Sequence, residues 1–213
     1  MKLKGIIFDL DGVICFTDEY HYLAWKEMAD GLGIYFDRVI NNRLRGVSRM
    51  ESLEIILERY EGSPLSQGDK EALAAKKNEI YRGLLGQMSP RDLSEEVKTT
   101  LDTLRGRGLK LAIGSSSKNA PFILERIGLA GYFDAVSDGN NITHSKPDPE
   151  VFLKAAEMLG IAPEDCLVVE DAVAGAQAGH AGGFRVACVG DAAEAKAGDY
   201  NLSAISELTA LKE

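Results

Sequence analysis

Residues 5–13 read GIIFDLDGV, a short apolar run that ends in two aspartates and a glycine. A run of this length and composition is typical of a buried strand. Side chains at positions i and i+2 of an extended segment point to the same face, so Asp9 and Asp11 are expected to project together. Gly12 permits a sharp turn directly afterwards. The stretch predicts a carboxylate pair at the carboxyl edge of an open sheet, where such folds place their sites. An ordinary polar turn is the alternative.

Similar apolar runs recur along the chain and alternate with helical patterns. The predicted strands are residues 4–10, 109–117, 133–139, 166–171 and 184–190. The predicted helices are residues 94–107, 119–128, 149–159 and 172–181. This alternation is typical of α/β proteins, and it predicts a doubly wound, Rossmann-like parallel sheet. The Ala-rich, acidic stretch at residues 190–200 is expected to be a surface loop or a short helix.

Residues 16–88 interrupt this alternation, because they hold amphipathic helical segments and no convincing strand. We therefore predict an all-helical cap domain at residues 16–88, inserted into an α/β core domain made of residues 1–15 and 89–213. The connections between the two are expected at residues 12–17 and 86–92, where glycine, proline and other turn formers occur.

The composition limits the kinds of partner that the protein takes. The 213 residues include 33 acidic and 24 basic ones, and this net charge of −9 argues against a nucleic-acid surface and a polybasic membrane patch. No run of about 18 apolar residues occurs, and the run before Asp9 is too short for a signal peptide. Cys15, Cys166 and Cys188 lie far apart without CxxC spacing, as in reduced cytosolic chains. We expect a cytoplasmic monomer whose partner is a small molecule, with no nucleic acid and no membrane.

Three later stretches add polar groups at predicted strand ends. Residues 114–119 (GSSSKN) offer hydroxyl and backbone N–H groups to an anion, or else serve as a helix N-cap. Lys146, within residues 144–149 (HSKPDP), is placed to neutralise a phosphoryl oxygen, or is a solvated loop lysine. Glu170 and Asp171 offer hard oxygen ligands for Mg²⁺, or cap the next helix. A parallel sheet brings all these strand ends to one edge, which favours a shared site over separate caps.

Four motifs occur in order and span most of the chain: FDLDGV, SSSKN, SKPDPEVF and VVEDAVAGAQAG. They resemble the four motifs of the haloacid dehalogenase superfamily of phosphotransferases. The predicted cap carries further stretches, EYHYLAWKEMA, LRGVSRMESLEIIL and AAKKNEIY, which resemble the β-phosphoglucomutase family within that superfamily. The resemblance implies an α/β core, a helical cap and Mg²⁺-dependent phosphoryl transfer through an aspartyl phosphate.

The resemblance also implies roles for the residues that match its motifs. Asp9 would be the nucleophile that becomes phosphorylated, and Asp11 would be the general acid/base. The residues expected to hold Mg²⁺ are Asp9, Asp11 through its backbone carbonyl, Glu170 and Asp171. The residues expected to bind the transferring phosphoryl group are Ser115, Ser116 and Lys146. The residues expected to bind the sugar or its second phosphate are His21, Trp25, Gly46, Val47, Arg49, Lys77, Ser117, Lys118 and Asn119. Outside the resemblance, Trp25 would be cap packing and Arg49 a solvated helix charge.

The implied reaction interconverts β-D-glucose 1-phosphate and glucose 6-phosphate through β-glucose 1,6-bisphosphate, which also primes the enzyme. A Mg²⁺-dependent phosphatase of small sugar phosphates is the main alternative, because it shares every core motif. A dehalogenase would have no use for the second aspartate and the acidic metal site. A phosphosugar-binding protein without activity would be expected to lack one of the two aspartates.

Overall fold

The computed structural model describes residues 3–44 and 47–211. Its strands are β1 (Gly5–Phe8), β2 (Lys110–Gly114), β3 (Ala135–Ser137), β4 (Cys166–Glu170), β5 (Arg185–Cys188) and β6 (Tyr200–Asn201). They form one parallel sheet in the order β3-β2-β1-β4-β5-β6. β1 therefore lies in the middle, between β2 and β4, and the predicted doubly wound α/β fold is confirmed.

Helices surround this sheet and fill the long segment that follows β1. The helices of that segment are α1 (Asp18–Gly31), α2 (Arg38–Asn42), α3 (Arg49–Leu57) and α4 (Gln67–Leu85). The later helices are α5 (Glu95–Gly106), α6 (Ala120–Arg126), α7 (Glu150–Leu159), α8 (Val173–Ala181) and α9 (Gly190–Glu194). Short 3-10 helices lie at Pro90–Asp92, Pro163–Asp165 and Ile205–Ala210. Within residues 3–44 and 47–211, every helix is too short or too polar to cross a bilayer.

Alternate residues of β1 pack on opposite faces of the sheet. Ile6 and Phe8 belong to an apolar cluster that includes Leu101 of α5, whereas Ile7 packs in a second cluster with Phe152 of α7. All four residues of β1 are buried. Burial on both faces explains why the strand is a continuous apolar run in the sequence, and it fixes the position of the residues that follow.

The inserted helices α1 to α4 build a small apolar core of their own, and this insertion is all-helical as predicted. Its buried residues include Trp25, Met28, Phe36, Leu53 and Ile56. α4 packs against both α1 and α3. Capping boxes at Ser48 and Ser66 begin α3 and α4, because each serine and an acidic residue three positions later satisfy the first backbone N–H groups. The division into a cap at residues 16–88 and a core on either side stays a prediction.

The end of the sheet differs from the sequence prediction, which has five strands. Residues 190–200, expected to be a loop or a short helix, contain α9 and the first residue of β6. β6 pairs with β5 through Ala187↔Tyr200 and Cys188↔Asn201. A strand of two residues, one of them an asparagine, has no apolar run to reveal it.

Candidate active site

A cavity of about 500 Å³ lies where the carboxyl ends of the central strands meet the inserted helices. Every described residue that the sequence predicts for the site lines this cavity. The residues from the core are Asp9, Asp11, Ser115, Ser116, Ser117, Lys118, Asn119, Lys146, Glu170 and Asp171. The residues from the insertion are His21, Trp25, Val47, Arg49 and Lys77. Gly46, also predicted, lies outside the described residues. The roles of the individual residues stay predictions, but their convergence on one cavity is a feature of the fold.

Lys146 joins two acidic side chains at the sheet edge. Its Nζ donates to Asp9 Oδ1 and, over 2.5 Å, to Glu170 Oε1. Asp9, Lys146 and Glu170 are 7%, 4% and 1% exposed, so these ion pairs are shielded from water. Glu170 Oε2 accepts hydrogen bonds of 2.9 Å from the backbone N–H groups of Asp171 and Ala172. The network ties the residue after β1 to the end of β4.

Burial and the neighbouring charges both change the pKa of Asp9. Burial raises the pKa of Asp9 well above its ordinary value, Lys146 lowers it, and the carboxylates of Glu170 and Asp171 raise it further. Burial also lowers the pKa of Lys146, but its two carboxylate partners more than offset this, and the pKa lies above its ordinary value. Lys146 therefore pairs with Asp9 and Glu170, and the carboxylate of Asp171 adds negative charge near Asp9.

Two glycines make room for the acidic side chains. Gly12 has a φ of +92°, and a Cβ there would overlap the carboxylate of Asp171. A Cβ at Gly175, in α8, would overlap the carboxylate of Glu170. Because Gly12 tolerates positive φ without strain, the chain turns away directly after Asp11. Glycine at both positions thus allows the carboxylates to crowd together.

The donor set at this end of the cavity fits Mg²⁺, the metal that the sequence predicts. Mg²⁺ prefers carboxylate and carbonyl oxygens, and Asp9, Glu170 and Asp171 supply them at adjoining strand ends. Burial is the main cause of the raised pKa of Asp9, and the carboxylates of Glu170 and Asp171 raise it further; a divalent cation would relieve this repulsion between carboxylates. The residues present therefore suit the metal in their chemistry and in their charge.

Among the described residues, the predicted Mg²⁺ ligands are not the side chains whose ligand atoms lie closest together. In the part of the chain that the structure describes, three His, Cys, Asp or Glu ligand atoms lie within 4.8 Å of one another at His144, Asp148 and Glu150 alone. At the predicted metal site the ammonium group of Lys146 bridges two of the carboxylates instead.

Asp11 is held by Thr17, a residue that the sequence analysis did not single out. Thr17 is fully buried and donates its Oγ1 to Asp11 Oδ1. Desolvation raises the pKa of Asp11 to about 6, although the bond from Thr17 opposes the shift. A carboxyl group with such a pKa can accept and release a proton near neutral pH. Thr17 directly precedes α1, so the orientation of Asp11 depends on the connection to the insertion.

Lys77 is a buried lysine on the side of the cavity formed by the inserted helices, and it is 2% exposed. Burial and the nearby charge of Arg49 lower its pKa to about 7. The aromatic faces of Trp25 and Tyr81 lie 4.7 and 4.4 Å from its Nζ and offset part of this cost. Its Nζ also lies 3.0 Å from His21 Nδ1. An ammonium group only donates, so Nδ1 is the acceptor, which agrees with a pKa of His21 that burial, Lys77 and Arg49 lower.

The loop after β2 braces itself through its own hydroxyl groups. Ser115 Oγ accepts from the backbone N–H of Ser117 over 3.1 Å, and Ser117 Oγ accepts from that of Asn119 over 3.2 Å. Ser116 Oγ is buried, and among the described residues it has no hydrogen-bond partner. A buried hydroxyl without a partner on a cavity-lining residue is suited to an anion such as a phosphoryl oxygen.

Asn119 connects this loop to the insertion through two residues that the sequence analysis missed. Its Nδ2 donates to Asn78 Oδ1 over 2.9 Å, and its Oδ1 accepts from Arg82 Nη1 over 3.2 Å. Asn78 and Arg82 are one helical turn apart on α4. The stretch AAKKNEIYR shows them only as polar residues of an amphipathic helix, so the sequence contains no signal of this contact.

Comparison with known proteins agrees with the predicted resemblance. The haloacid dehalogenase-like hydrolase family matches residues 3–183. A β-phosphoglucomutase from Bacillus subtilis is 41% identical over 97% of this chain and 92% of its own. A fructose-1-phosphate phosphatase from Escherichia coli is 36% identical over 86% of this chain and 94% of its own. The crystal structure of β-phosphoglucomutase from Clostridium difficile superposes with a TM-score of 0.90 at 34% identity, over 97% of this chain and 93% of the other.

The four motifs, the strand order and the inserted helices thus agree with the matches in sequence and in structure. The match to the family extends from before β1 to beyond α8, so it includes both the sheet edge and the insertion. The chain belongs to the haloacid dehalogenase-like hydrolase family.

Proposed function

We propose that the protein is a β-phosphoglucomutase, which interconverts β-D-glucose 1-phosphate and glucose 6-phosphate through an aspartyl phosphate at Asp9 and bound β-glucose 1,6-bisphosphate. One observation carries this proposal: the cavity that contains Asp9 and Asp11 is also lined by a second set of polar groups suited to an anion, among them Arg49 and Asn119. A phosphatase needs one phosphate site, whereas a mutase with a bisphosphate intermediate needs two. The relative from Bacillus subtilis supports the same choice.

The proposed reaction has two transfers. In the first, the phosphoryl group on Asp9 moves to the C6 hydroxyl oxygen of β-glucose 1-phosphate, the Asp9 O–P bond breaks, and Asp11 accepts the hydroxyl proton. The bisphosphate then turns over within the cavity. In the second, the phosphoryl group on C1 moves to Asp9, and Asp11 returns the proton to the C1 oxygen. Glucose 6-phosphate leaves, and Asp9 is again phosphorylated.

The transferring group needs charge neutralisation, since it develops negative charge on its oxygens. The residues that would hold Mg²⁺ are Asp9, the backbone carbonyl of Asp11, Glu170 and Asp171. When bound, Mg²⁺ supplies electrostatic stabilisation of the phosphoryl oxygens. Lys146 adds a fixed ammonium group, and Ser115 and Ser116 donate hydrogen bonds. Ser116 Oγ is buried without a hydrogen-bond partner among the described residues, which supports its role in binding the phosphoryl group.

The inserted helices, residues 16–88, act in this proposal as a cap that closes over the sugar. Arg49, Ser117, Lys118 and Asn119 bind the phosphate that is not transferred, and this remote binding energy drives closure. The cap residues that would orient the sugar or line its approach are His21, Trp25, Gly46, Val47 and Lys77. Closure excludes water, which would otherwise hydrolyse the aspartyl phosphate and make the enzyme a phosphatase.

The test is a ³¹P NMR time course with β-glucose 1-phosphate, Mg²⁺ and a trace of β-glucose 1,6-bisphosphate. We expect conversion to glucose 6-phosphate that requires the bisphosphate primer and is absent in the Asp9→Asn variant. Accumulation of inorganic phosphate without glucose 6-phosphate would reject the mutase. Conversion that continues in Asp9→Asn would reject the aspartyl phosphate.

The second candidate is a Mg²⁺-dependent phosphatase of small sugar phosphates. A fructose-1-phosphate phosphatase is 36% identical to this chain, which favours this second candidate. A phosphatase and a mutase would use the same reactive carboxylates. The same time course separates them, since a phosphatase releases inorganic phosphate and needs no primer. We also propose that the protein acts as a cytoplasmic monomer on a small sugar phosphate; gel filtration with light scattering measures its mass in solution.

A further inference from the structure

Arg82 contacts Asn119, which is one of the residues proposed to bind the second phosphate. It is an exposed residue near the end of α4, and it does not line the cavity. Its Nη1 donates to Asn119 Oδ1 over 3.2 Å, and its guanidinium carbon lies 4.5 Å from the centre of the Phe122 ring. Asn119 and Phe122 both lie at the start of α6. One side chain of the insertion therefore holds the core at two points.

The bond to Arg82 determines which end of the Asn119 amide points away from it. A guanidinium group has donors only, so the amide oxygen must face Arg82 and the amide nitrogen must face the other way. Asn119 is 4% exposed, and a reversed amide would set two donors against each other, which is costly in a buried place. The geometry thus selects one of the two orientations of the amide.

The selected orientation turns the amide nitrogen toward Asn78, and both asparagines line the cavity. Asn119 Nδ2 donates to Asn78 Oδ1 over 2.9 Å, and Asn78 itself lines the cavity. An amide nitrogen has two N–H bonds, and Asn78 accepts one of them. The positive charge of Arg82 behind the oxygen polarises the amide and strengthens the bonds that its nitrogen donates.

We propose that Arg82 is a positioning residue for the phosphate that is not transferred. It fixes Asn119 so that the second N–H of its amide can donate to that phosphate, and it links phosphate binding to the docking of α4 on the core. This inference rests on the proposed function, in which Asn119 binds the second phosphate. A purely structural clamp would behave differently: its loss would lower the stability of the protein and leave the affinity of the folded protein unchanged.

The test is titration calorimetry of glucose 6-phosphate with the full chain and with Arg82→Met, Arg82→Lys and Lys76→Met. Methionine keeps an unbranched apolar stem over Phe122 but cannot donate, and Lys76 is an exposed cation on the same helix that serves as a control for net charge. We expect Arg82→Met to weaken binding about tenfold, because Asn119 would then lose its hydrogen bond to the charged phosphate. Arg82→Lys should weaken it less, and Lys76→Met should stay within about twofold. An affinity of Arg82→Met within about twofold of the wild type would overturn the proposal.

A double-mutant cycle tests whether Arg82 acts through Asn119. The Arg82→Met/Asn119→Ala variant should bind no more weakly than Asn119→Ala alone. If the two substitutions reduced the affinity independently, so that their effects multiplied in the double variant, the proposal would be overturned. Melting temperatures show whether each variant is folded.

Failure of the proposed function has a different signature. A wild-type protein that binds glucose 6-phosphate but shows no primer-dependent conversion would reject the mutase, and the affinities of the variants would still test Arg82. A wild-type protein that binds neither glucose 6-phosphate nor inorganic phosphate would reject both proposals.

Discussion

The charge on Lys77 changes near neutral pH, because burial and the charge of Arg49 bring its pKa to about 7. Protonated Lys77 attracts a phosphate or sugar oxygen, and neutral Lys77 does so far less. We therefore expect kcat/KM for β-glucose 1-phosphate to fall as the pH rises above about 7. The measurement is the pH profile of kcat/KM for the wild type and Lys77→Met at saturating primer. The variant should have a low kcat/KM and lack this alkaline decline; an unchanged decline would show that another group causes it.

The same lysine should lower the stability of the folded protein. Its pKa is depressed in the folded state, so between about pH 7 and 10.5 the unfolded chain binds more protons, and the free energy of unfolding rises with pH. Lys77→Met removes the cost of burying the charge. We expect the variant to be more stable than the wild type by about 1 kcal/mol or more at about pH 6. A shift of one pKa unit corresponds to about 1.4 kcal/mol, and the pKa of Lys77 is lowered by more than that. Urea unfolding at about pH 6 and pH 9 checks this, and the difference should shrink at the higher pH. Equal stability at about pH 6 would mean that the aromatic faces fully offset the burial.

The first turn of α8 is shaped to receive the end of β4. A Cβ at Gly175 would overlap the Glu170 carboxylate, so Gly175→Ala should displace Glu170 and weaken its ion pair with Lys146. Although alanine favours a helix, we expect a net loss of about 1–3 kcal/mol in the free energy of unfolding, as for a broken buried network. Activity should fall with it. Gly106→Ala, at the end of α5 with no atom near its Cβ position, is the control and should be neutral or stabilising.

The whole molecule should be stabilised by Mg²⁺, because a cation that binds only the folded state raises the melting temperature. The sequence prediction assigns this effect to Asp171 and its neighbours, whereas Asp148 belongs to the compact trio beside His144 and Glu150. Thermal melts with and without Mg²⁺ distinguish the two sites. The shift should be lost in Asp171→Asn and kept in Asp148→Asn. The opposite pattern would move the metal to the trio, and chelation should abolish turnover only if the first pattern holds.

Much of the fold could be predicted from the sequence because buried parallel strands are nearly continuous apolar runs. β1 and β4 are such runs, and the helical periods between strands predict the layers around them. β6 lacks this signal, since two residues at a sheet edge bury little apolar surface. It forms because β5 offers it backbone partners, which only the folded sheet provides.

The candidate site could be predicted in so far as its residues lie in motifs at strand ends. Asp9 and Glu170 converge because the parallel pairing of β1 with β4 brings the carboxyl ends of these two strands together. Thr17, Asn78 and Arg82 could not be predicted in the same way. A buried hydroxyl and two polar residues of an amphipathic helix acquire their partners only when α1 and α4 pack over the core, and that packing has no local pattern in the sequence.

The central position of β1 in the sheet also has a consequence while the chain is being synthesised. β1 is synthesised first, yet its two partners pair through Gly5↔Lys110 and Gly5↔Cys166. At roughly 5–20 residues per second, the strand waits for many seconds on the ribosome with both edges open. An apolar strand with a free edge is a template for self-association, so nascent chains that end before Cys166 expose such a template. The helical insertion, whose apolar cluster needs only nearby residues, can be complete before the sheet that carries it.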